Sequence, residues 1–487
     1  MAPALDPSSP AASAPPAPRT PLLHARLLGR RALRALSASV QARRRAIPAA
    51  EIEFLGFTTL DDVGRPFLWR GEVYRGIYPH QVAWVRELFA SGLVAALVDA
   101  GLLVETEPTE LVAGGFGWVL RHRRLTPARP TEWTASMLRD AALAILETER
   151  LCNRFGFTLR DAHPYNVCFD RSRPRWVDLG SIGRRQEGWP ARAEFVNETA
   201  VPLAFLARGE QLEGYAILMA ARSLKIAKKE FRRTILFERF LALAGETPAS
   251  FSDERIDAQW IARTCASAPA LQTSWGAYQE GDASVLADLA PHPGNRFGRF
   301  FQLAELVARH APEARTCLDL AGNVGLASAI VAARNPSLRC VNTDNDPVAI
   351  EKSYALLRRE PRLGFESYLL NFMLPMYPDA PRVFRSDVAM ALAVTHHLLL
   401  AQGHKLSEVL ERIGGYARRL VLVEFMPLGL WGGDPERKPP VPAWYTTPWF
   451  EQGFRRQFDL VERRVLESHR IAGVDEPHRV LFVGRVR

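Results

Sequence analysis

The sequence predicts an α/β protein whose C-terminal part is a doubly wound parallel sheet, preceded by an α+β module and a polar N-terminal arm. Three observations carry that reading. After about residue 295, apolar strands alternate with amphipathic helices, and that alternation builds a parallel sheet with crossover helices. Between 51 and about 290, short strands give way to a long, mostly helical stretch. The first fifty residues are rich in Pro, Ala and Ser and bury too little apolar surface to fold. The implied organisation is an arm at 1–50, a module with a helical extension at 51–290, and a doubly wound domain at 291–487 of the 487 residues.

The arm holds eight arginines against the single acid Asp6, so it carries +7 of the formal +9. The other 437 residues are left with about +2, and a nucleic-acid partner is not expected for so neutral a body. LLHARLLGRRALRALSASVQARRR spaces Leu and Arg helically. It reads either as a helix resting weakly on a membrane or acidic surface, or as a solvated leader. Its leucines and arginines interleave, so it lacks the apolar block of a secretion signal. No apolar run approaches the ~20 residues of a spanning helix. Five cysteines without a CxxC pair point to reduced thiols and a cytoplasmic setting rather than a disulfide framework or zinc site.

In the module, FLWRGEVYRGIY predicts two strands about a turn at Gly71. QVAWVRELFASGLVAALVDAG predicts a helix ending at Gly101, and LLVETE a strand. EWTASMLRDAALAILETERLCNRFG predicts a helix stopped by Gly156, with NVCFD and RWVDL as short strands after it. From 194 to about 290 the pattern is mainly helical, and the charges of RSLKIAKKEFRR read as a solvated face.

In the C-terminal part, RFGRFFQLAELVARHA predicts a helix leading into the strand TCLDLA. There follow helix LASAIVAARN, strand LRCVNTD, helix DPVAIEKSYALLRR, strands SYLLN and VAMALAV, a helix from about 404, strand RLVLVEF, and a final pair near FDLVERRVL and RVLFVGRV. TCLDLAGNVGLAS (316–328) is thus strand, tight turn and helix start. Ligands of doubly wound sheets bind at such strand ends. Gly322 and Gly325 admit close backbone approach, Asn323 tolerates left-handed angles, and Asp319 is placed to order the turn or meet an ammonium group. Such a turn by itself is equally a plain tight connection. The second acid adds weight: Asp344 ends the next strand about 20 residues on, where a carboxylate accepts ribose hydroxyls. GxGxxG is missing, so a nucleoside without pyrophosphate suits the turn better than a dinucleotide.

These residues resemble the class I S-adenosylmethionine methyltransferases, with DLAGNVG close to a D-x-G-A-N-x-G variant and Ala321 in place of the first Gly. The resemblance implies a Rossmann-like fold and S-adenosyl-L-methionine as cofactor. It places Asp319, Ala321, Gly322, Asn323 and Gly325 around the methionine end, Asp344 with Asn345 at the ribose, and Asn371 of LLNFMLP at the adenine. The Asn stands where Asp is commoner, and an amide also pairs with that edge. His396 and His397 lie just past the strand of SDVAMALAVTHHLLL. One of them is a candidate proton acceptor for a hydroxyl substrate; the alternative is that one packs and the other caps a helix. Glu424 of RLVLVEFMP either orients substrate or is an ordinary strand-end acid. With LRDAHPYNVCFD (159–170), these motifs resemble the NoeA-like nodulation-protein methyltransferases over residues 50–487. That resemblance implies methyl transfer but leaves the acceptor poorly defined; a small-molecule or saccharide hydroxyl is expected here, and no metal.

Asp161, Asn166 and Asp178 match in type and order the hydroxyl-facing Asp, metal-holding Asn and metal-bridging Asp of kinase-like folds. A phosphotransferase acting through them is the alternative enzyme, and a binding protein with a remnant cofactor fold is another. Phosphate binding also needs an upstream cation, yet the first lysine is Lys225. Arg75 is the available substitute and is bulkier and forked. No Gly-rich phosphate loop precedes the site, GGFG at 114–117 being too near it. Residues 51–250 therefore read as a kinase-like scaffold without phosphotransfer, its Asx side chains bracing the loop.

Overall fold

The computed structural model describes residues 45–55, 61–223, 228–266, 271–273, 275–276, 298–434 and 436–487, without the side chains of 221–223 and 228–229. The arm's first 44 residues, the middle of RSLKIAKKEFRR and most of 267–297 lie outside them. The chain forms two compact units: residues up to Gly92 with Glu107–His122, and Leu93–Thr106 with Arg123–Arg487.

In the first unit, strands Gly64–Trp69 and Glu72–Ile77 pair as a hairpin. Its turn residues Arg70 and Gly71 both take positive φ, 51° and 82°. That twist matches the right-handed twist of the strands. Trp118–His122 pairs with the second strand. Phe67, Trp69, Tyr74 and Val119 form the core. Arg75 is buried there and salt-bridged to Asp61. The helix expected over 81–101 ends at Ala90 and a second one starts at Leu93. Gly92, at φ 84°, breaks the run.

The second unit takes the helix Leu93–Asp99 and then Ala135–Arg154, a helix burying Met137, Leu138, Ala141, Ile145 and Cys152. Gly156 ends it at φ 83°. Strands Val167–Asp170 and Arg173–Trp176 make an antiparallel hairpin. Phe157–Leu159 pairs with Ile182–Arg184. Helices Val201–Leu206, Gln211–Ser223, Ile235–Ala244 and Ala258–Ala266 follow.

Seven strands then build one sheet: β1 (Thr316–Leu320), β2 (Arg339–Asp344), β3 (Phe365–Leu369), β4 (Ser386–Ala391), β5 (Ala417–Phe425), β6 (Phe458–Ile471) and β7 (Val474–Val486). Their order is β3-β2-β1-β4-β5-β7-β6. The first five are parallel, and β7 and β6 are antiparallel additions at one edge. This is a Rossmann-like doubly wound sheet whose order reverses between β1 and β4. Helices α1 (Gly298–His310), α2 (Leu326–Arg334), α3 (Pro347–Arg359), α4 (Leu406–Gly415) and α5 (Thr447–Gln457) accompany it. All five residues of β1 are buried, as a central parallel strand covered on both faces requires. β3 runs two residues earlier than SYLLN suggests. The sequence reading missed α5, although Thr446 caps it and Pro448 sits in its first turn. Among the described residues no single helix is long and apolar enough to cross a membrane.

Within the second unit, the 123–176 segment packs onto the β2–β3 flank. Tyr354 of α3 places its hydroxyl 2.8 Å from Asp140 Oδ2 and 3.0 Å from the Ser172 carbonyl. Phe169 meets the Tyr354 ring edge-on, and Arg129 bonds Asp379 at 2.5 Å. The Tyr354→Phe variant removes the one hydroxyl proton that these two acceptors share, a loss of about 1–3 kcal/mol. Scanning calorimetry should show Tm lowered by roughly 1–4 °C, with this segment and the sheet still melting together.

Candidate functional site

The carboxyl ends of β1, β2 and β4 gather most of the sequence-selected residues. β1 delivers Asp319, and the chain then turns through Ala321 (φ 58°), Asn323 (φ 52°) and Gly325 (φ 85°). Three left-handed residues in five compress the connection to α2. For Ala321 and Asn323 such angles cost about 1 kcal/mol each, strain of the kind held at binding sites. A Cβ on Gly322 would lie 2.2 Å from Asn342 Oδ1 and 2.6 Å from Asp319 Oδ2. Only glycine lets the backbone sit so low over the sheet. On Gly325 a Cβ would meet the Phe365 ring at 2.5 Å.

The turn is tied to β2. Gly322 N–H donates to the Thr343 carbonyl at 2.9 Å. Asn323 N–H donates to Asp344 Oδ2 at 2.8 Å, and Asp346 N–H to Asp344 Oδ1 at 2.9 Å. Asn342 Nδ2 donates to the Asn323 carbonyl and to Ser367 Oγ. Ser328 Oγ donates to Asp319 Oδ2 at 3.1 Å, while Asp319 Oδ1 is buried without a partner. Burial pushes the Asp319 carboxyl up to about 7 and that of Asp344 to about 6; the nearby Asp344 charge adds to the rise at Asp319. Asn342, Ser328 and Thr343 escaped the sequence reading. Their spacing in strand and helix carries no motif, and only the register of β1 on β2 brings them in.

Asn345 and Asn371 are exposed beside this turn. Asn371 Oδ1 accepts from Met373 N–H at 3.1 Å and Leu374 N–H at 3.0 Å, which leaves its amide N–H groups as the side available to a ligand.

The second cluster follows β4 and β5. His397 opens a π-helical turn to Ala401, a form common at functional sites. The His396 and His397 rings lie 4.0 Å apart. Burial, then His397, Arg479 and His478, hold His396 down to about 3, so it is neutral and a poor proton acceptor. Burial also lowers His397, which is only half-buried. Glu424 is buried, and its Oε2 accepts from Ala393 N–H at 2.7 Å and Arg479 Nη1 at 2.9 Å. Thr395 Oγ1 donates to the Glu424 carbonyl. Glu424 thus braces the turn carrying the histidines and holds an arginine.

That arginine comes from an overhang. β7 pairs with β5 only from Val480 onward, so its earlier residues, paired to β6 alone, project past the end of β5. Arg479 also donates to Glu467 at 2.9 Å. The His469 and His478 rings lie 4.7 Å apart, with Trp431 against both at 4.9 and 5.3 Å. This polar, ring-lined wall had no sequence signal, because a hairpin's length beyond its neighbour is a tertiary property.

The 159–178 stretch forms a separate locus. Asp161 Oδ2 lies 3.1 Å from His163 Nε2. Burial, then a hydrogen bond and charge from Asp161, raise Glu194 to about 7. Glu194 also accepts from Ala162 N–H at 2.7 Å. Val177 N–H donates to the Asn166 carbonyl, bringing Asn166 beside Asp178, whose Oδ1 accepts from Gly180 N–H. Among the described residues no His, Cys, Asp and Glu group is arranged to hold a metal ion.

No family model matches the chain. It is 27% identical over 416 residues to nodulation protein NoeA of Rhizobium meliloti (strain 1021), spanning 75% of this chain and 83% of that protein. This agrees with the NoeA-like resemblance. Among solved structures, the N-terminal domain of EvdMO1 in the presence of SAH and D-fucose matches at 14% identity and TM-score 0.29, covering 44% of this chain and 100% of that one. The N-methyltransferase NodS from Bradyrhizobium japonicum WM9 matches at 14% identity and TM-score 0.28, covering 39% and 94%. The [4+2]-cyclase SpnF matches at 13% identity and TM-score 0.30, covering 45% and 97%. Likeness at these scores decides neither ligand nor reaction.

The buried Asp319 yields a test of the site's electrostatics. Its folded value near 7 exceeds the ordinary 3.8, so ionisation destabilises the ligand-free fold. The destabilisation is absent below about pH 4 and complete above about pH 7. Asp319→Asn mimics the protonated acid. Its unfolding free energy, measured by denaturant titration, should exceed that of wild type increasingly across that window, by on the order of a few kcal/mol at pH 8, and match wild type at pH 4.

Proposed function

We propose that the chain is an S-adenosylmethionine-dependent methyltransferase that O-methylates a small-molecule or saccharide acceptor. The observation that carries this reading is the turn after β1: a backbone pressed onto the sheet at Gly322, a buried carboxylate oxygen on Asp319 lacking a partner, and Asp344 at the next strand end. These features fit the cofactor. Asp319 and the turn would hold its methionine end, Asp344 and Asn345 its ribose, and Asn371 its adenine, as donor rather than acceptor because the amide oxygen is taken. When bound, the cofactor supplies an electrophilic methyl group on a sulfonium. Asp319, ionised by an adjacent ammonium, holds that end in place. His397 takes the hydroxyl proton, its half-buried ring being a better acceptor than the neutral, buried His396. Glu424 and Arg479 keep the turn and wall rigid. The ring-lined wall of Trp431, His469 and His478 suits a polar, ring-bearing acceptor.

Calorimetry should show S-adenosylhomocysteine binding to wild type, at least tenfold weakened in Asp344→Ala. Unchanged affinity in that variant sinks the assignment. His397→Ala should lower methyl transfer from labelled cofactor about 10²–10⁴-fold, with homocysteine-product affinity kept.

We further propose that the 51–250 region is a kinase-like scaffold without phosphotransfer. Two features support this: Arg75 is engaged by Asp61, and Asp161 is engaged by His163 and Glu194 instead of standing free. Thermal shift with magnesium and ATP should therefore be nil. A shift abolished by Asp178→Ala would instead establish nucleotide binding.

A further inference from the structure

At and just past the carboxyl ends of β4 and β5, Glu424 Oε1, His396 Nδ1 and His478 Nδ1 are buried without a hydrogen-bond partner among the described residues. Their residues are only 1%, 6% and 7% exposed. Polar atoms orphaned at that depth are costly, and natural folds keep them where a ligand or a water completes them. The three belong to one cluster around Arg479. Arg479 Nη1 donates to Glu424 Oε2 at 2.9 Å, and its charge acts on both His396 and His478. Ala393 N–H, on the turn after β4, donates to the same Oε2 at 2.7 Å from a left-handed conformation, φ 49°. The carboxylate is thus fixed through one oxygen, and the other is left over.

His478 joins the cluster through a bulge. Glu467 pairs with Arg479 and Ser468 with Pro477, so His478 is an extra residue of β7. Bulges are frequent beside functional sites, where they re-aim a side chain that strand alternation would turn away. The His478 ring lies 4.7 Å from that of His469, whose Nε2 is 2.8 Å from Glu467 Oε1. Glu467 Oε2 accepts from Arg479 Nε at 2.9 Å and lies 3.5 Å from Arg299 Nη1. The carboxylates of Glu424 and Glu467 are therefore matched by two guanidiniums. Burial, then Arg479, hold His478 down to about 4, so it is neutral, as His396 is.

We propose that Glu424 Oε1, His396 Nδ1 and His478 Nδ1 form an acceptor subsite that holds the hydroxyls of an uncharged pyranoside. The inference rests on the methyltransferase reading above and narrows its acceptor to a neutral sugar. A carboxylate oxygen only accepts and so calls for a donor, a neutral imidazole nitrogen donates or accepts, and a hydroxyl serves both. A cluster already balanced in charge gives a charged substituent no counter-ion. Trp431, with its ring 5.3 Å from that of His478, adds apolar surface beside these polar groups, the mixture that a sugar ring requires.

Saturation-transfer NMR of the full chain with the methyl pyranosides of glucose, galactose, mannose and fucose, in the presence of S-adenosylhomocysteine, tests this without turnover. At least one should bind. In Glu424→Gln the amide oxygen can keep Ala393 and Arg479 while an NH2 group replaces Oε1. Glycoside affinity should then fall about ten- to a hundredfold, with S-adenosylhomocysteine affinity kept by calorimetry. His478→Phe, which keeps a ring and loses the nitrogens, should weaken the same glycoside and decides the matter should Glu424→Gln upset the fold. With S-adenosylhomocysteine bound but no glycoside, the three atoms hold internal water only and the subsite is overturned. Undiminished glycoside affinity in both variants overturns it too, as does a hexosamine or uronic-acid glycoside that binds more tightly than every neutral one. Failure of S-adenosylhomocysteine to bind overturns the methyltransferase reading instead.

Discussion

The hydrogen bond from Asn323 N–H to the Asp344 carboxylate joins the turn after β1 to the end of β2, and the rest of the site is built around it. Asp344 accepts again from Asp346 N–H, and Asp346 in turn caps α3 through Val348 and Ala349. One carboxylate thereby sets the height of the turn, the start of the crossover helix and the depth of the crevice. Asp319 sits beneath the same turn with an unpartnered oxygen. Both acids are held above the usual carboxylate range by burial. A fold does not accumulate such costs without return, and a ligand carrying positive charge and hydroxyl donors would offset them.

On the opposite side of the crevice, Glu424 Oε2 is held by a backbone N–H and by Arg479, while its Oε1, like Asp319 Oδ1, is buried without a partner. The antiparallel edge has a consequence beyond closing the sheet. Extending β6 and β7 past β5 carries His469, His478 and Arg479 beyond the carboxyl end of β5, so the long hairpin raises a wall at that edge of the sheet.

Farther from the sheet, the 123–176 segment shares a packed boundary with α3 and β3 through Tyr354, Phe169 and Arg129. Its Glu194 is hydrogen-bonded to Asp161 and to Ala162 N–H, contacts that favour a fixed loop over an open catalytic one. The kinase-like pattern of acids was plain in the sequence. The acid partner Glu194 was not, because it lies 33 residues beyond Asp161 and reaches it only through a helix packed alongside.

What the sequence determined by itself is local. Periodicity gave the parallel domain its strands and helices, glycines marked the turns at 71, 156 and 325, and the spacing from Asp319 to Asp344 put both acids at adjacent strand ends. Helix breaks and edges were less legible: Gly92 splits a continuous apolar pattern, and α5 has starting signals without strong periodicity. Tertiary structure decided the rest, since it depends on register and on depth. Which histidine stays half-exposed, which carboxylate oxygens lack a partner and where a hairpin overhangs its neighbour all follow from distances between residues far apart in the chain. Burial, and with it every shift in charge, is a property of those distances rather than of residue order.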